Sequence, residues 1–409
     1  MIPNFPRSIL LAAAIATFIP SFGAAAAASR SDIEGKIKAG KLDEAIAAGR
    51  TAVEAAPADP DLRGVLAHAL AAKGRDVRRV VAATVNAEDV LAGKAVMPSV
   101  GPDNPPRIVV VYDPALLEDA LRHLREAVRL APRREDLRFT ECYLLTDAGD
   151  VDRAAVAVRA ALEALPRTAA LGTSLATFGI ERGKRGDPRG GAALLLPVTT
   201  AFPADATLAA DRGFMLGQAG LKTEALAELD RAAKGAPTDL RVQRRRAAAF
   251  VLLREWKRAR SAWQAAVEAG HEDGDRLGAA AAAIATDVKT AKTELQSLAE
   301  PAASADASII ATAVDLARAA SAPAASKGNV ALAKKLADEG KELLAAPLLH
   351  RALRADPRNK GAAALLAGIE RRLGFPSVAD EILKNAQAPP PAPKPAAVPA
   401  PQTPGASRR

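Results

Sequence analysis

The chain has 409 residues and 49% hydrophobic side chains, but only 3% are aromatic, and alanine supplies much of the apolar content. Side chains this small suit close helix packing and exclude a thick globular core. The formal net charge is +9, and the single cysteine, Cys142, excludes an intramolecular disulfide.

The N-terminus carries Arg7, an apolar run from Ser8 to Phe22, and then small residues through Ala28. Ala26 and Ala28 fit an A-x-A cleavage pattern, which predicts a signal peptide over residues 1–28, a mature start at Ser29 and a periplasmic or secreted protein. The alternative is an anchor formed by an uncleaved N-terminal helix. Against it, the run is shorter than the ~20 residues a spanning helix needs, and Pro20 interrupts it. No later segment is long and apolar enough to span a membrane, so none is expected after cleavage.

Residues 29–57 read as a first helical hairpin. A second begins at Pro60, and its second helix, around Asp76–Leu91, is expected to run into an irregular insertion over about 92–114. Five prolines between Met97 and Pro114 forbid a continuous helix there. Within them, Ile108–Tyr112 is β-branched and predicts an extended segment or an apolar plug. Pro114–Pro132 resumes as a second helix. Helices are expected again over 135–166 and from Ala169 to Arg182, with Gly183–Gly191 as a glycine-rich turn. Pro197 and Pro347 should each bend a helix. Residues 273–325 are alanine-rich, with room for three helices of degenerate register. After the solenoid, which ends near 387, residues 388–409 form a proline- and alanine-rich tail that cannot bury enough surface to fold and is expected to be disordered.

A 34-residue phrase recurs along this path. In Glu135–Thr168, positions 8, 15, 20, 27 and 32 are Cys142, Gly149, Ala154, Ala161 and Pro166; in Ala206–Asp239 they are Gly213, Gly220, Ala225, Ala232 and Pro237. A small residue at position 8 lets two helices approach, glycine at 15 ends the first helix, alanines at 20 and 27 line the second, and proline at 32 stops it. The register returns at Gly40, Ala45, Ala52 and Pro57, and again at Gly340, Ala345, Ala352 and Pro357.

Period and residue types resemble the tetratricopeptide repeat (TPR) family over most of residues 29–387. The resemblance implies an all-α fold, a right-handed superhelical solenoid of helix–turn–helix repeats. Departures are the charged residues Glu141, Arg212 and Arg246 at position 7, where the family has a large apolar one, and Arg254 at position 15 of the unit starting at Leu240.

No chemistry is spelled out. His68, His123, His271 and His350 are scattered, without zinc-ligand spacing, and neither a G-x-S-x-G elbow nor a Walker phosphate loop is present. Gly183–Gly191 lacks the preceding strand and the Lys-Ser/Thr ending of a phosphate loop. No catalytic residue, metal or cofactor is expected. In the TPR family, positions 2, 5, 9, 12 and 13 of the first helices face the ligand. Carried over residue by residue, the resemblance implies groove candidates Phe139 and Tyr143, Phe214 and Gln218, Arg241 and Arg244, and Arg371 and Arg372. An aromatic wall beside arginines suits an extended peptide; the alternative is that Phe139 and Phe214 fill the core. Arg241–Arg260 holds eight basic residues against one acidic. The expected function is a non-catalytic scaffold of the cell envelope that grips a protein or peptide partner. The alternative is binding of anionic polysaccharide or cell wall; the export signal argues against nucleic acid.

Overall fold

The computed structural model describes residues 24–80, 107–299, 306–372 and 376–387. The expected leader (apart from its last residues), most of the proline-rich insertion and the tail lie outside the described residues.

The chain is a row of antiparallel helical hairpins. The first pairs α1 (Ala24–Lys38) with α2 (Leu42–Ala55), and the second pairs α3 (Pro60–Gly74) with α4 (Pro114–Leu130). Next come α5 (Glu135–Ala148) with α6 (Val151–Ala164), α7 (Ala169–Lys184) with α8 (Pro188–Ala201), and α9 (Ala206–Gln218) with α10 (Lys222–Gly235). The pairs α11 (Leu240–Leu252) with α12 (Trp256–Gly270) and α13 (Asp273–Ile284) with α14 (Val288–Ala299) continue the row. A lone helix α15 (Ala307–Ser321) packs on α14, and two final hairpins follow: α16 (Lys327–Asp338) with α17 (Glu342–Ala355), and α18 (Lys360–Arg372) with α19 (Pro376–Gln387).

Two local signals recur along the row. Gly40, Gly149, Gly220 and Gly340, all at position 15, sit at φ between 72° and 84°, the left-handed region that side chains disfavour. Two residues after the proline at position 32, a short polar side chain caps the next first helix. Asp59, Thr168, Asp205, Asp239 and Asn359 each accept from backbone N–H groups of the first turn. The alanines at positions 20 and 27 are buried in hairpin after hairpin, from Ala45 and Ala52 to Ala345 and Ala352. Each contributes little area, so stability accrues from the number of stacked units.

The charges at position 7 are accommodated, because each reaches a partner from within the interface. Glu141 meets Arg125 of α4 at 3.4 Å, Arg212 pairs with Glu228 of α10, and Arg246 donates to the Leu229 carbonyl at 3.0 Å.

Two expectations need correction. Residues 76–80 are strand, not helix: β1 (Arg75–Val80) pairs antiparallel with β2 (Arg107–Tyr112), with Arg75 opposite Tyr112 and Val77 opposite Val110. The β-branched run Ile108–Val111 opposite a segment that carries Val77 and Val80 favours a ribbon, and the true partner of α3 is α4 beyond it. The glycine-rich turn is shorter than expected. Gly190 and Gly191 belong to α8, where a Cβ on Gly191 would lie 2.6 Å from the Gly179 carbonyl, so the two glycines let α7 and α8 cross in contact. Both α8 and α17 continue as helix past their internal prolines, Pro197 and Pro347.

The array is not purely a nearest-neighbour stack. Helix α17 packs against α11 and α13, skipping the intervening helices. Every residue from Leu277 to Ala285 is buried as a result, which fits a helix apolar on all sides.

Candidate functional site: the face of the first helices

The first helices lie side by side, α5 on α7, α7 on α9 and α9 on α11, and their shared face carries the residues of interest.

At α5, Phe139 is half-buried, its ring edge-on to Phe178 of α7 at 6.1 Å between centroids. One turn on, Tyr143 is half-buried, with Arg185 near enough to act on its phenol. One turn further, the carboxylate of Asp147 is fully buried. It accepts from Arg75 Nε at 2.9 Å and from the Tyr112 hydroxyl at 2.8 Å, both on Oδ2, while Arg185 pairs with Oδ1. Burial pushes this carboxyl upward, but the hydrogen bonds from Arg75, Arg185 and Tyr112 outweigh it and hold it below the usual carboxylate range. Burial, and then the Asp147 charge, push the Tyr112 phenol far above its ordinary value, so it stays a donor. The β-ribbon is thereby fastened to the end of α5.

Between the aromatic stations, α7 exposes Thr173 and Thr177. At α9, Phe214 is half-buried under the Arg245 guanidinium, 4.8 Å above the ring centroid. Arg245 also donates to buried Asp211 Oδ1 at 2.7 Å, and Arg241, largely exposed, reaches Asp211 Oδ2 at 3.4 Å. Gln218 is half-buried and makes no side-chain hydrogen bond among the described residues.

Arg244 points away from this station. It grips buried Asp275 of α13 with two parallel bonds, Nε to Oδ1 at 2.8 Å and Nη2 to Oδ2 at 2.7 Å, and also meets Glu272. The hydrogen bonds it donates to Asp275 raise its pKa above the ordinary arginine value. Arg371 pairs with Asp380 at 2.9 Å and Arg372 with Glu342 at 3.5 Å, so both serve the last hairpins.

Sequence-placed residues therefore fall into two stations, Phe139 with Tyr143 and Phe214 with Gln218 and Arg241. Arg244 is drawn into an inter-repeat ion pair. Sequence reasoning passed over Phe178, Arg185, Arg245 and the buried aspartates Asp147, Asp211 and Asp275. One signal was readable: Asp211 and Arg245 occupy the same position, 6, of adjoining units.

Nine hairpins among the described residues, 34-residue spacing, left-handed position 15 and proline-then-cap punctuation decide the architecture. The fold is a tetratricopeptide-type α-solenoid.

No protein-family model and no curated protein matches the chain. Among solved structures, this TPR-type solenoid is similar to PilF of Pseudomonas aeruginosa, at 12% identity over 61% of this chain and 94% of the other, with a TM-score of 0.27. It is also similar to the TPR domain of P58(IPK), at 14% identity over 89% and 93%, with a TM-score of 0.22. A further similarity is to the TPR2AB domain of yeast Sti1, solved as a complex with pHSP90, at 18% identity over 61% and 92%, with a TM-score of 0.24. TM-scores this low carry no weight of their own, and the architecture rests on the hairpin geometry of the chain itself.

Among the described residues, no cluster of three or more His, Cys, Asp or Glu side chains could hold a metal ion, and no helix is long and apolar enough to cross a membrane.

Proposed function

We propose that the protein is a non-catalytic scaffold that grips an extended segment of a partner protein along the face of α5, α7, α9 and α11, and that it works in the cell envelope. One observation carries the reading. Phe139 and Phe214 are held half-open by neighbours on the next first helix, with the exposed hydroxyls of Thr173 and Thr177 and donors from Gln218 and Arg241 between and beside them. The threonine protons go to the Ala169 and Thr173 carbonyls, so their oxygens can accept. Rigid aromatic edges flanked by hydrogen-bonding groups suit a peptide laid across successive helices. The envelope assignment is supported by the leader-like N-terminus alone.

The basic stretch favours this reading over an anionic polysaccharide. Arg241, Arg244, Arg245, Arg258 and Arg260 each meet an acidic side chain of this chain, and Arg254 lies 3.9 Å from Glu370. Little uncompensated charge is left to attract a polyanion.

A crosslinked pull-down from the envelope fraction tests the proposal, comparing wild type with Phe139→Ala/Tyr143→Ala and with Phe214→Ala/Arg241→Glu. Loss of one discrete protein with both variants, insensitive to moderate salt, supports it. Retention of glycan alone, lost as salt rises, sinks it.

A further inference from the structure

The C-terminal hairpins are seated on the middle of the solenoid through a buried polar cluster. Arg254, just past the end of α11, occupies position 15, where other units place a left-handed glycine, and it adopts φ 59°. Its guanidinium Nη2 is 3.9 Å from Glu370 Oε1 of α18, and His350 Nε2 of α17 is 3.9 Å from the same oxygen. Glu370 is 4% exposed, and neither its Oε2 nor Arg254 Nη2 has a hydrogen-bond partner among the described residues. The His350 ring lies 5.1 Å from the indole of Trp256, itself 6% exposed at the start of α12. One turn along α17, Arg354 donates to the Ala285 carbonyl at the end of α13, at 2.9 Å. Val251 and Leu252, at positions 12 and 13 where the family meets its ligands, are buried, and α17 packs on the helix that carries them.

We propose that α17 is an intramolecular occupant of the α11–α13 part of this face, seated while His350 is neutral and released when His350 takes up a proton. The argument is one of charge count. From α18 the histidine meets one carboxylate, Glu370; from the segment after α11 it meets Arg254; from its own helix it meets Arg354. Helix α12 offers it the indole of Trp256, and the Ala285 carbonyl at the end of α13 is taken by Arg354. Protonation would add a cation between two arginines and a single carboxylate; Arg254 and Arg354 keep access to water, but the imidazolium itself would be largely removed from it.

The sign follows from burial. Desolvation is the largest influence on His350 and lowers its pKa from 6.5, although Glu370 pulls the other way. The unseated state binds the proton more readily, so seating is strongest at and above neutral pH and weakens as pH falls below 6.5. The proposal stands independently of what the rest of the face binds.

The full chain carrying Trp263→Phe leaves Trp256 as its single indole, and acrylamide quenching then reports its exposure. Between neutral pH and about pH 5, the indole should become accessible while far-UV ellipticity is retained, and amides of Ala280–Ala285 should lose protection from exchange. His350→Gln and His350→Phe, accepted only at wild-type helicity, should abolish both changes in that window. An indole equally shielded across the range, exposure only together with loss of helix, or a transition that persists in both variants would overturn the proposal.

Discussion

The hydroxyl of Tyr112, on the β-ribbon, donates at 2.8 Å to the carboxylate of Asp147 at the end of α5, joining the insertion to the repeat after it. Tyr112→Phe removes one bond to a buried carboxylate and is expected to cost about 1.5–3 kcal/mol in urea titration.

The same carboxylate sets a pH dependence. Its folded pKa lies below the reference value of 3.8, so its contribution is complete above that value and is lost as pH falls through the folded one. Asp147→Asn should flatten the acid limb of a stability–pH curve while lowering stability at neutral pH. An unchanged acid limb would show that Asp147 is not ionised in the fold.

Arg241 and Arg244, three residues apart on one helix, should answer differently to alanine. Arg241 is exposed and makes one long contact, so its loss should fall within about 0.5 kcal/mol. Arg244→Ala orphans buried Asp275. The expected cost is about 1.5 kcal/mol, the lower end for a bond to a charged group because the guanidinium is partly exposed. Thermal or urea melts of the two variants decide it.

Glycine-to-alanine changes should have opposite signs at two positions. Gly220, at φ 75°, is expected to lose roughly 1–2 kcal/mol. Gly274, in the first turn of α13, has open space where an alanine methyl would sit and φ outside the left-handed range, so alanine should gain about 0.4–1 kcal/mol. Urea melts of the two single variants give both signs.

Cys142, at position 8, is fully buried, and burial pushes its thiol well up from its ordinary value. A thiol reagent should leave the native chain unlabelled and modify one site on denaturation. Rapid native labelling would mean that α5 and α6 separate readily.

The repeat was legible because glycine at 15, alanine at 20 and 27 and proline at 32 report backbone geometry within one hairpin, which depends on local sequence. That Phe139 and Phe214 share the face of the first helices was legible for the same reason, since periodicity fixes the face. Their neighbours were not. Phe178, Arg185 and Arg245 reach them from the following unit, and such pairings depend on how units rotate against one another. The fate of Arg244 is similar, because a basic residue shows its sequence neighbours but not the buried Asp275 beyond the next turn. The ribbon is only half-readable: Ile108–Tyr112 announces an extended segment, but its strand partner at Arg75–Val80 reads as helix when taken alone.

The contact of α17 with α11 and α13 alters what kind of polymer the chain is. Units that touch only their neighbours can peel from an end one at a time, like a zipper. A clasp between residues 254 and 370 makes a ring of everything in between, so the units around α14 and α15 cannot open without straining both sides of the clasp. The C-terminal end is then no fraying terminus but part of one cooperative block, and its hydrogen-exchange rates should converge on a single value, while α1 and α2 exchange faster.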